Sequence, residues 1–341
     1  MKEIKIELGE RSYNITIGCG LLRRACDYFK LDRAALVVTD DNIPPIYAES
    51  VASCAKRREI YKIPEGESSK SIDTLSALLG KMTEMKLTRS DCVIAVGGGV
   101  VGDLTGLAAS LYMRGIDFYN VPTSLLAMVD SSIGGKTAIN HAGIKNIVGA
   151  FYQPRGVLID TDVLATLPER HIAAGLCEAI KMSATSDEEL FHYIEGADTA
   201  EILSSPEDMI ARALNIKKRV VEQDERESGL RKILNFGHTL GHGIEASSGE
   251  GVLYHGECVA LGMLPMCSPK VRERLISTLK RHRLPTEYHG DIAAAIALAM
   301  HDKKANAGGI DIITVDCIGK CDIRTVSADE FAGICLGYYG K

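Results

Sequence analysis

The sequence contains no apolar run of the roughly 18 residues that a membrane-spanning helix needs. Its longest candidate, Ile292 to Met300, is nine residues, Ala-rich, and reads as a buried helix. The opening MKEIKIELGE has no apolar h-region, so no secretory signal peptide is expected. The ten cysteines form no CxxC pair, and the nearest two, Cys317 and Cys321, stand alone. Free buried thiols in a reducing compartment fit this scatter better than a disulfide framework or a Cys-based zinc site. A cytoplasmic location is therefore expected, with no membrane partner. Positive charge is not in excess either, the formal net charge being −6. A nucleic-acid surface is normally basic, so no nucleic-acid partner is expected, although a local basic pocket for a small anion is compatible with the balance. Internal repeats, low-complexity tracts and long linkers are also missing.

What is present is an ordinary globular composition, 46% hydrophobic and 25% charged over 341 residues. That length suggests two domains. Residues 4–17 alternate (Ile4, Ile6, Leu8, then Tyr13, Ile15, Ile17) around Gly9-Glu10-Arg11-Ser12, a hairpin signal. Buried strands are predicted at Ala34 to Thr39, Cys92 to Val96, Phe118 to Val121 and Val157 to Asp160, with a helix over Ser71 to Met85 and another from the glycines through Tyr112. Strands alternating with helices imply a mostly parallel α/β sheet. From Pro168 onward helical spacing dominates, including Ala173 to Thr185, Pro206 to Gln223, Asn235 to Ala246, Glu257 to Met266 and Lys270 to His282. The change of texture at 161–168 divides the chain into a Rossmann-like domain, 1–165, and an all-α domain, 166–341.

VIAVGGGVVGDLTG, Val93 to Gly106, reads as strand, tight turn, helix. Glycines let a backbone approach a pyrophosphate, and a helix N-terminus offers free N–H groups. The pattern is neither GxGxxG nor a Walker loop, and a purely structural glycine turn is the competing reading. Asp103 adds negative charge where phosphates would lie and fits better facing a ribose or nicotinamide. Asp40, at a strand end, is placed to accept from ribose hydroxyls, although it precedes the glycines instead of following them. Glu67 and Lys70 in EGESSKS also read as solvated charges at a helix start.

NFGHTLGHGIEASSGEGVLYHGE, Asn235 to Glu257, holds three of the nine histidines. His238 and His242 are four apart and share a helical face; His255 follows in a turn. Glu178 is the best acid to join them, because it sits in an apolar helix where an unpaired carboxylate is costly. Two imidazoles, one carboxylate and an open position form a catalytic zinc pattern. HTLGH lacks the Glu of an HExxH helix, and satisfied core or surface histidines are the alternative. Arg231, Asn235, His238 and His242, spaced 4, 3 and 4, make one stripe if helical throughout. Lys181 shares the Glu178 face. Met128 to Pro154 places Asp130, Lys136, Lys145 and Asn146 among glycines, which suits phosphate binding or a solvated surface loop.

These blocks occur in a fixed order: GGGVVGDLTG, MRGIDFYNVPTSLLAMVDSSIGGKTAIN, KNIVGAFYQP, AGLCEAIK, DERESGLRKILNFGHTLGHGIE, HGECVALGM and DKK. Together they resemble the 3-dehydroquinate synthase family, over about residues 35 to 320. The resemblance implies metal ligation (Zn2+ or Co2+) by Glu178, His238 and His255, with His242 a neighbour and candidate proton-transfer residue. It implies NAD contacts from Asp40, Asn42, Glu67, Lys70, Gly98, Gly99, Val100, Asp103, Thr123, Ser124, Asp130 and Thr166, with Lys136 and Lys145 near both cofactor and substrate. A phosphorylated sugar acid would be gripped by Arg114, Lys136, Asn146, Lys181, Lys217, Arg231 and Asn235, and by Lys303 or Lys304. The implied reaction converts 3-deoxy-D-arabino-heptulosonate 7-phosphate to 3-dehydroquinate and phosphate. It runs through transient oxidation by NAD, phosphate elimination, re-reduction and intramolecular aldol closure, without net redox change. A homodimer is expected.

The chain departs from the family pattern after HGECVALGM, where LPMCSPKVRERLISTLKRHRLPT is shorter by about one short helix, and at Cys177 and Cys258, where a small residue is more usual. Cys258, close to His255, is either oxidation-sensitive or an inert buried thiol. Rival readings are a cyclase acting on sedoheptulose 7-phosphate or glucose 6-phosphate, a same-fold alcohol or glycerol dehydrogenase, and a non-catalytic nucleotide-binding protein. Arg231 and Asn235 suit a carboxylate-bearing substrate and favour the 3-dehydroquinate synthase reading over these rivals.

Overall fold

The computed structural model describes residues 1–227, 229–249, 251–301 and 309–340. The chain divides into two compact units, Met1–Leu167 and Pro168–Lys341.

The first unit runs β1 (Lys2–Ile6), β2 (Tyr13–Gly18), α1 (Ala25–Tyr28), β3 (Ala34–Asp40), α2 (Pro45–Ala52), β4 (Arg57–Ile63), α3 (Ile72–Glu84), β5 (Cys92–Gly97), α4 (Gly99–Leu111), β6 (Asp117–Pro122), β7 (Lys136–His141), β8 (Ile144–Phe151) and β9 (Gly156–Asp160). Seven strands form one sheet in the order β1-β2-β9-β6-β5-β3-β4. The β1–β2 hairpin is antiparallel, with Ile4 opposite Ile15, and the other pairings are parallel. Strands β3 and β5 are continuous apolar runs because helices cover both faces of a parallel sheet. Leu36, Val38, Val93 and Ala95 pack against Leu104, Leu107 and Ala108 of α4 and Leu78 and Met82 of α3. Each large side chain so buried contributes about 1.5–3 kcal/mol. Ser71 caps α3 by accepting from the Thr74 N–H.

Helices α1 and α2 and strands β4, β7 and β8 were not expected. β4 (RREIYKI) is largely exposed at the sheet edge, where burial no longer demands an apolar run. The glycine-rich stretch after Gly135 is no loop but the antiparallel hairpin β7–β8, with Ile139 opposite Val148.

The second unit runs α5 (Glu169–Ser186), α6 (Glu188–Gly196), α7 (Thr199–Ser204), α8 (Glu207–Gln223), α9 (His238–Ser248), α10 (His255–Met263), α11 (Pro269–Arg281), α12 (Ile292–His301), β10 (Ile310–Cys317), β11 (Lys320–Val326) and α13 (Ala328–Tyr339). It is helical, with one addition to the expected all-α architecture, the antiparallel pair β10–β11. Helix α5 is buried from Ile172 to Thr185 and packs against α8 and α10, while α9 packs against α10 and α12. Helix α12 buries one face (Ala295, Ile296, Ala299) and leaves Leu298 exposed. No helix among the described residues is long and apolar enough to cross a membrane.

The single stripe from Arg231 to His242 does not form. Leu230–Asn235 is a 3-10 turn, and α9 begins afresh at His238. Between them Gly237 has φ 77°, and a Cβ there would lie 2.7 Å from the Val259 carbonyl oxygen. Only glycine permits both the left-handed backbone and that approach of α9 to α10. After Met263, α10 gives way to a 3-10 turn at Leu264–Met266 with Pro269 opening α11.

Candidate functional site

Glu178 lies mid-way along α5, where side chains on every face are buried, and it is itself fully buried. A carboxylate there is expensive unless compensated. Neither of its oxygens accepts an aligned hydrogen bond. Its compensation is the Lys181 ammonium one turn on, 2.5 Å from Oε2, and two imidazoles. His238 Nε2 is 4.0 Å and His255 Nε2 3.7 Å from Oε1. α9 carries His238 at its first turn, and α10 carries His255 at its own. A buried acid with one oxygen on an ammonium and the other faced by two imidazole nitrogens is a donor set that fits a divalent cation.

His242 sits one turn beyond His238, exposed, its ring 5.4 Å from His238 and 5.7 Å from His255. The ligand nitrogens of the three histidines lie within 4.8 Å of one another. Geometry therefore offers two overlapping sets, the three histidines, or Glu178 with His238 and His255. Burial, then the Lys181 charge and the neighbouring rings, hold His238 well below the ordinary imidazole value, so it is neutral as ligation requires. Burial also pulls His255 down, but its hydrogen bond to Glu245 and the charges of Glu178 and Glu245 outweigh it, and its pKa is raised.

The start of α10 is held firmly. Arg170 makes a bidentate pair with Glu257, 2.7 Å to each oxygen, and donates to the Val252 carbonyl at 2.6 Å. Its guanidinium stacks 4.0 Å above Tyr254, and Glu257 accepts from the Tyr254 N–H in a capping box. Among the expected substrate residues of this unit, Lys217 on α8 and Arg231 are buried, and Asn235 donates to Glu227 at 2.9 Å. Arg231 donates to the Glu225 carbonyl, and its backbone N–H donates to Asp224. Lys303 and Lys304 lie outside the described residues. Cys177 and Cys258 are fully buried, and burial pushes the Cys177 thiol well up, which makes it chemically inert.

In the first unit, β5 ends at Gly97 and α4 opens at Gly99, with Gly98 as N-cap and no side-chain cap. The free N–H groups of this turn, Val100 included, are available to a ligand. A Cβ on Gly97 would meet Val101 at 2.5 Å, and one on Gly99 would meet the Ser131 hydroxyl at 3.1 Å. Close packing thus demands glycine at Gly97 and presses Gly99 against Ser131, and the uncapped start of α4 is the feature that fits the pyrophosphate of NAD. Thr123 and Ser124 follow β6 beside it; Thr123 N donates to the Gly97 carbonyl at 3.0 Å. Asp130 lies in a π-helical turn, Ala127–Ser131.

Lys70 is the hub of this region. Only 4% exposed, it pairs with Asp103 at 2.7 Å and donates to the Asn146 carbonyl oxygen, with Glu67 at 3.8 Å. The solvated reading of Lys70 therefore fails, and the misplaced charge of Asp103 is neutralised. Asn140, which sequence reasoning missed, ties the rest together. It donates to Glu67 at 2.9 Å and accepts from the Asn146 N–H at 2.8 Å. Its place is set by the hairpin register, which no local pattern reveals. Asp40 ends β3 and accepts from the N–H groups of Asn42 and Ile43. Burial raises its pKa against those two bonds. Thr166 bonds Tyr47 of α2 at 2.9 Å. Lys136 and Lys145 are exposed on β7 and β8. Arg114 is also exposed, with φ 68° after Met113 at φ 51°, two consecutive left-handed residues of a strained turn.

Family models for the 3-dehydroquinate synthase N-terminal and C-terminal regions match residues 60–174 and 175–305. A 3-dehydroquinate synthase from Synechocystis is 41% identical over 98% of this chain and 99% of its own length. Another from Thermoanaerobacter pseudethanolicus is 42% identical over 97% and 98%. Among solved structures, a 2-deoxy-scyllo-inosose synthase complexed with carbaglucose-6-phosphate, NAD+ and Co2+ superposes with TM-score 0.88 at 24% identity, covering 98% of this chain and 99% of its own. A 2-epi-5-epi-valiolone synthase from Streptomyces hygroscopicus with NAD+ and Zn2+ bound superposes with TM-score 0.87 at 26% identity, over 97% and 98%. A probable glycerol dehydrogenase from Sinorhizobium meliloti lies further off, at TM-score 0.65 and 17% identity. With near-complete coverage at over 40% identity and both halves matched, the chain belongs to the 3-dehydroquinate synthase family.

Proposed function

We infer that the chain is an NAD- and metal-dependent 3-dehydroquinate synthase, converting 3-deoxy-D-arabino-heptulosonate 7-phosphate to 3-dehydroquinate and phosphate. Family membership supports the reaction. The observation that carries the metal chemistry is Glu178, fully buried, paired with Lys181 through one oxygen and faced through the other by His238 and His255. When bound, NAD supplies reversible oxidation of a hydroxyl, and a divalent metal, Zn2+ or Co2+, supplies Lewis acidity.

The protein's own residues bind and orient. Glu178, His238 and His255 hold the metal. His242, exposed beside them, moves a proton at its ring nitrogen. The ammonium of Lys181 pairs with Glu178. Lys217, Arg231 and Asn235 take the anionic and hydroxyl groups of the sugar acid, as do Arg114, Lys136 and Asn146. The glycine turn, Asp103, Asp130, Thr123 and Ser124 hold the nucleotide, with Asp40, Asn42, Glu67, Lys70, Lys145 and Thr166. Basic groups within each unit suit the anionic groups of the substrate despite the net negative charge. The enzyme is proposed to act in the cytoplasm as a homodimer; light scattering of the purified protein tests the latter.

The direct test incubates the protein with zinc, catalytic NAD and the heptulosonate phosphate, and follows phosphate and NADH together. Phosphate released in many-fold excess over NAD, with no accumulating NADH, is expected. Stoichiometric NADH would indicate a dehydrogenase. Release of no phosphate would overturn the reading.

A further inference from the structure

Glu245 lies on α9, one turn beyond His242, and its Oε2 is 3.1 Å from His255 Nδ1. An ionised carboxylate only accepts hydrogen bonds, so this contact requires the proton on Nδ1. In the neutral ring His255 Nε2 is then the lone-pair nitrogen, and that is the atom facing Glu178 Oε1 at 3.7 Å. His238 repeats the arrangement with a different partner. Its Nδ1 is 3.2 Å from the Phe236 carbonyl oxygen, also an acceptor only, and its Nε2 faces the same Glu178 oxygen at 4.0 Å.

We propose that Glu245 is a positioning residue of the metal site, locking His255 in the Nδ1–H tautomer so that it ligates through Nε2 together with His238 and Glu178. The proposal rests on the metal reading given above and extends it to a residue outside the ligand set. It also separates the two ligand sets that geometry allows. Two imidazoles are each anchored at Nδ1 and both aim Nε2 at one buried acid, which selects Glu178, His238 and His255. A carboxylate behind a ligating imidazole also raises its basicity, and removing such a partner typically weakens metal binding by about 10–100-fold. The negative charge of Glu245 adds to this, whereas the neutral Phe236 carbonyl only orients.

The test measures zinc affinity by competition with a chromophoric chelator for the wild-type chain, Glu245→Ala, Glu245→Gln and Glu178→Ala. Glu245→Ala is expected to lose about 10–100-fold. Glu245→Gln keeps an acceptor oxygen without the charge and should fall between Ala and wild type. Nitrogen-15 NMR of the zinc-free wild type should show His255 protonated at Nδ1, and the zinc-loaded form should show ligation at Nε2. Circular dichroism of the Gln variant reports folding, so that a collapsed Ala variant does not decide the matter. Wild-type zinc affinity in both Glu245 variants, or ligation through Nδ1, would overturn the proposal. If Glu178→Ala also bound zinc as the wild type does, the metal reading itself would fail, a result distinct from failure at Glu245 alone.

Discussion

The two polar clusters of this protein are built on opposite electrostatic plans. Around the glycine turn, Lys70 is enclosed by Asp103, Glu67 and Asn146, with Asn140 closing the network, and each charge meets a complementary group inside the protein. Around Glu178, one acid and one ammonium are buried against imidazoles held by Phe236 and Glu245, and the acid's oxygens accept no aligned hydrogen bond. The first cluster is satisfied within the protein. In the second, an ammonium and two imidazole nitrogens converge on one buried acid. A structural network and a metal site can thus contain the same residue types and differ in whether the protein alone satisfies them.

The comparison breaks most sharply at the acid. Glu178→Ala should weaken zinc binding by more than about 100-fold, beyond the range seen for outer partners, and abolish turnover; equilibrium dialysis and the phosphate assay measure both. His242→Ala should leave zinc bound while lowering turnover, and loss of zinc there would shift the ligand set to the three histidines. Zinc at a hundredfold excess over its Kd should stabilise the wild type by about 2.7 kcal/mol against unfolding, and Glu178→Ala not at all.

At the other cluster, zinc is expected to be irrelevant to the damage. Lys70→Ala leaves the Asp103 carboxylate without its cation in a mostly buried setting and should cost about 3 kcal/mol in urea unfolding, with or without zinc. A smaller loss, about 1–2 kcal/mol, is expected for Arg170→Ala, which removes the bidentate pair to Glu257 and the stack on Tyr254. If that variant also weakened zinc binding, the hold on the start of α10 would count as part of the site.

The smallest effect concerns pH. Burial opposes ionisation of Asp117, but Arg33 and Arg155 outweigh it and hold its carboxyl below the usual range. A depressed folded pKa contributes stability that is fully present above the unfolded value, near 4, and lost as pH falls through the folded value. Asp117→Asn should therefore narrow the difference in urea midpoint between pH 6 and pH 3. An unchanged difference would mean that Asp117 is not part of the acid response.

Much of this was readable before any coordinates. Ala34 to Thr39 and Cys92 to Val96 declare themselves as buried parallel strands because both their faces are covered, and α8 and α11 by helical spacing. Glu178 stood out because an acid in an apolar helix demands a partner. β4 escaped notice because an edge strand is solvated, and β7–β8 because its glycines read as loop.

Chain chemistry alone determined the parallel sheet, the glycine turn, the three histidines and the buried acid, since these follow from apolar periodicity and from the cost of burying charge. Tertiary structure alone decided the rest. It broke the Arg231–His242 stripe at Gly237, because the left-handed turn and the close approach of α10 are properties of packing. It made Lys70 a buried hub and brought in Asn140, because strand register joins residues far apart in sequence. It set Glu245 behind His255, because hydrogen-bond direction, and with it the tautomer of an imidazole, exists only once two helices are packed.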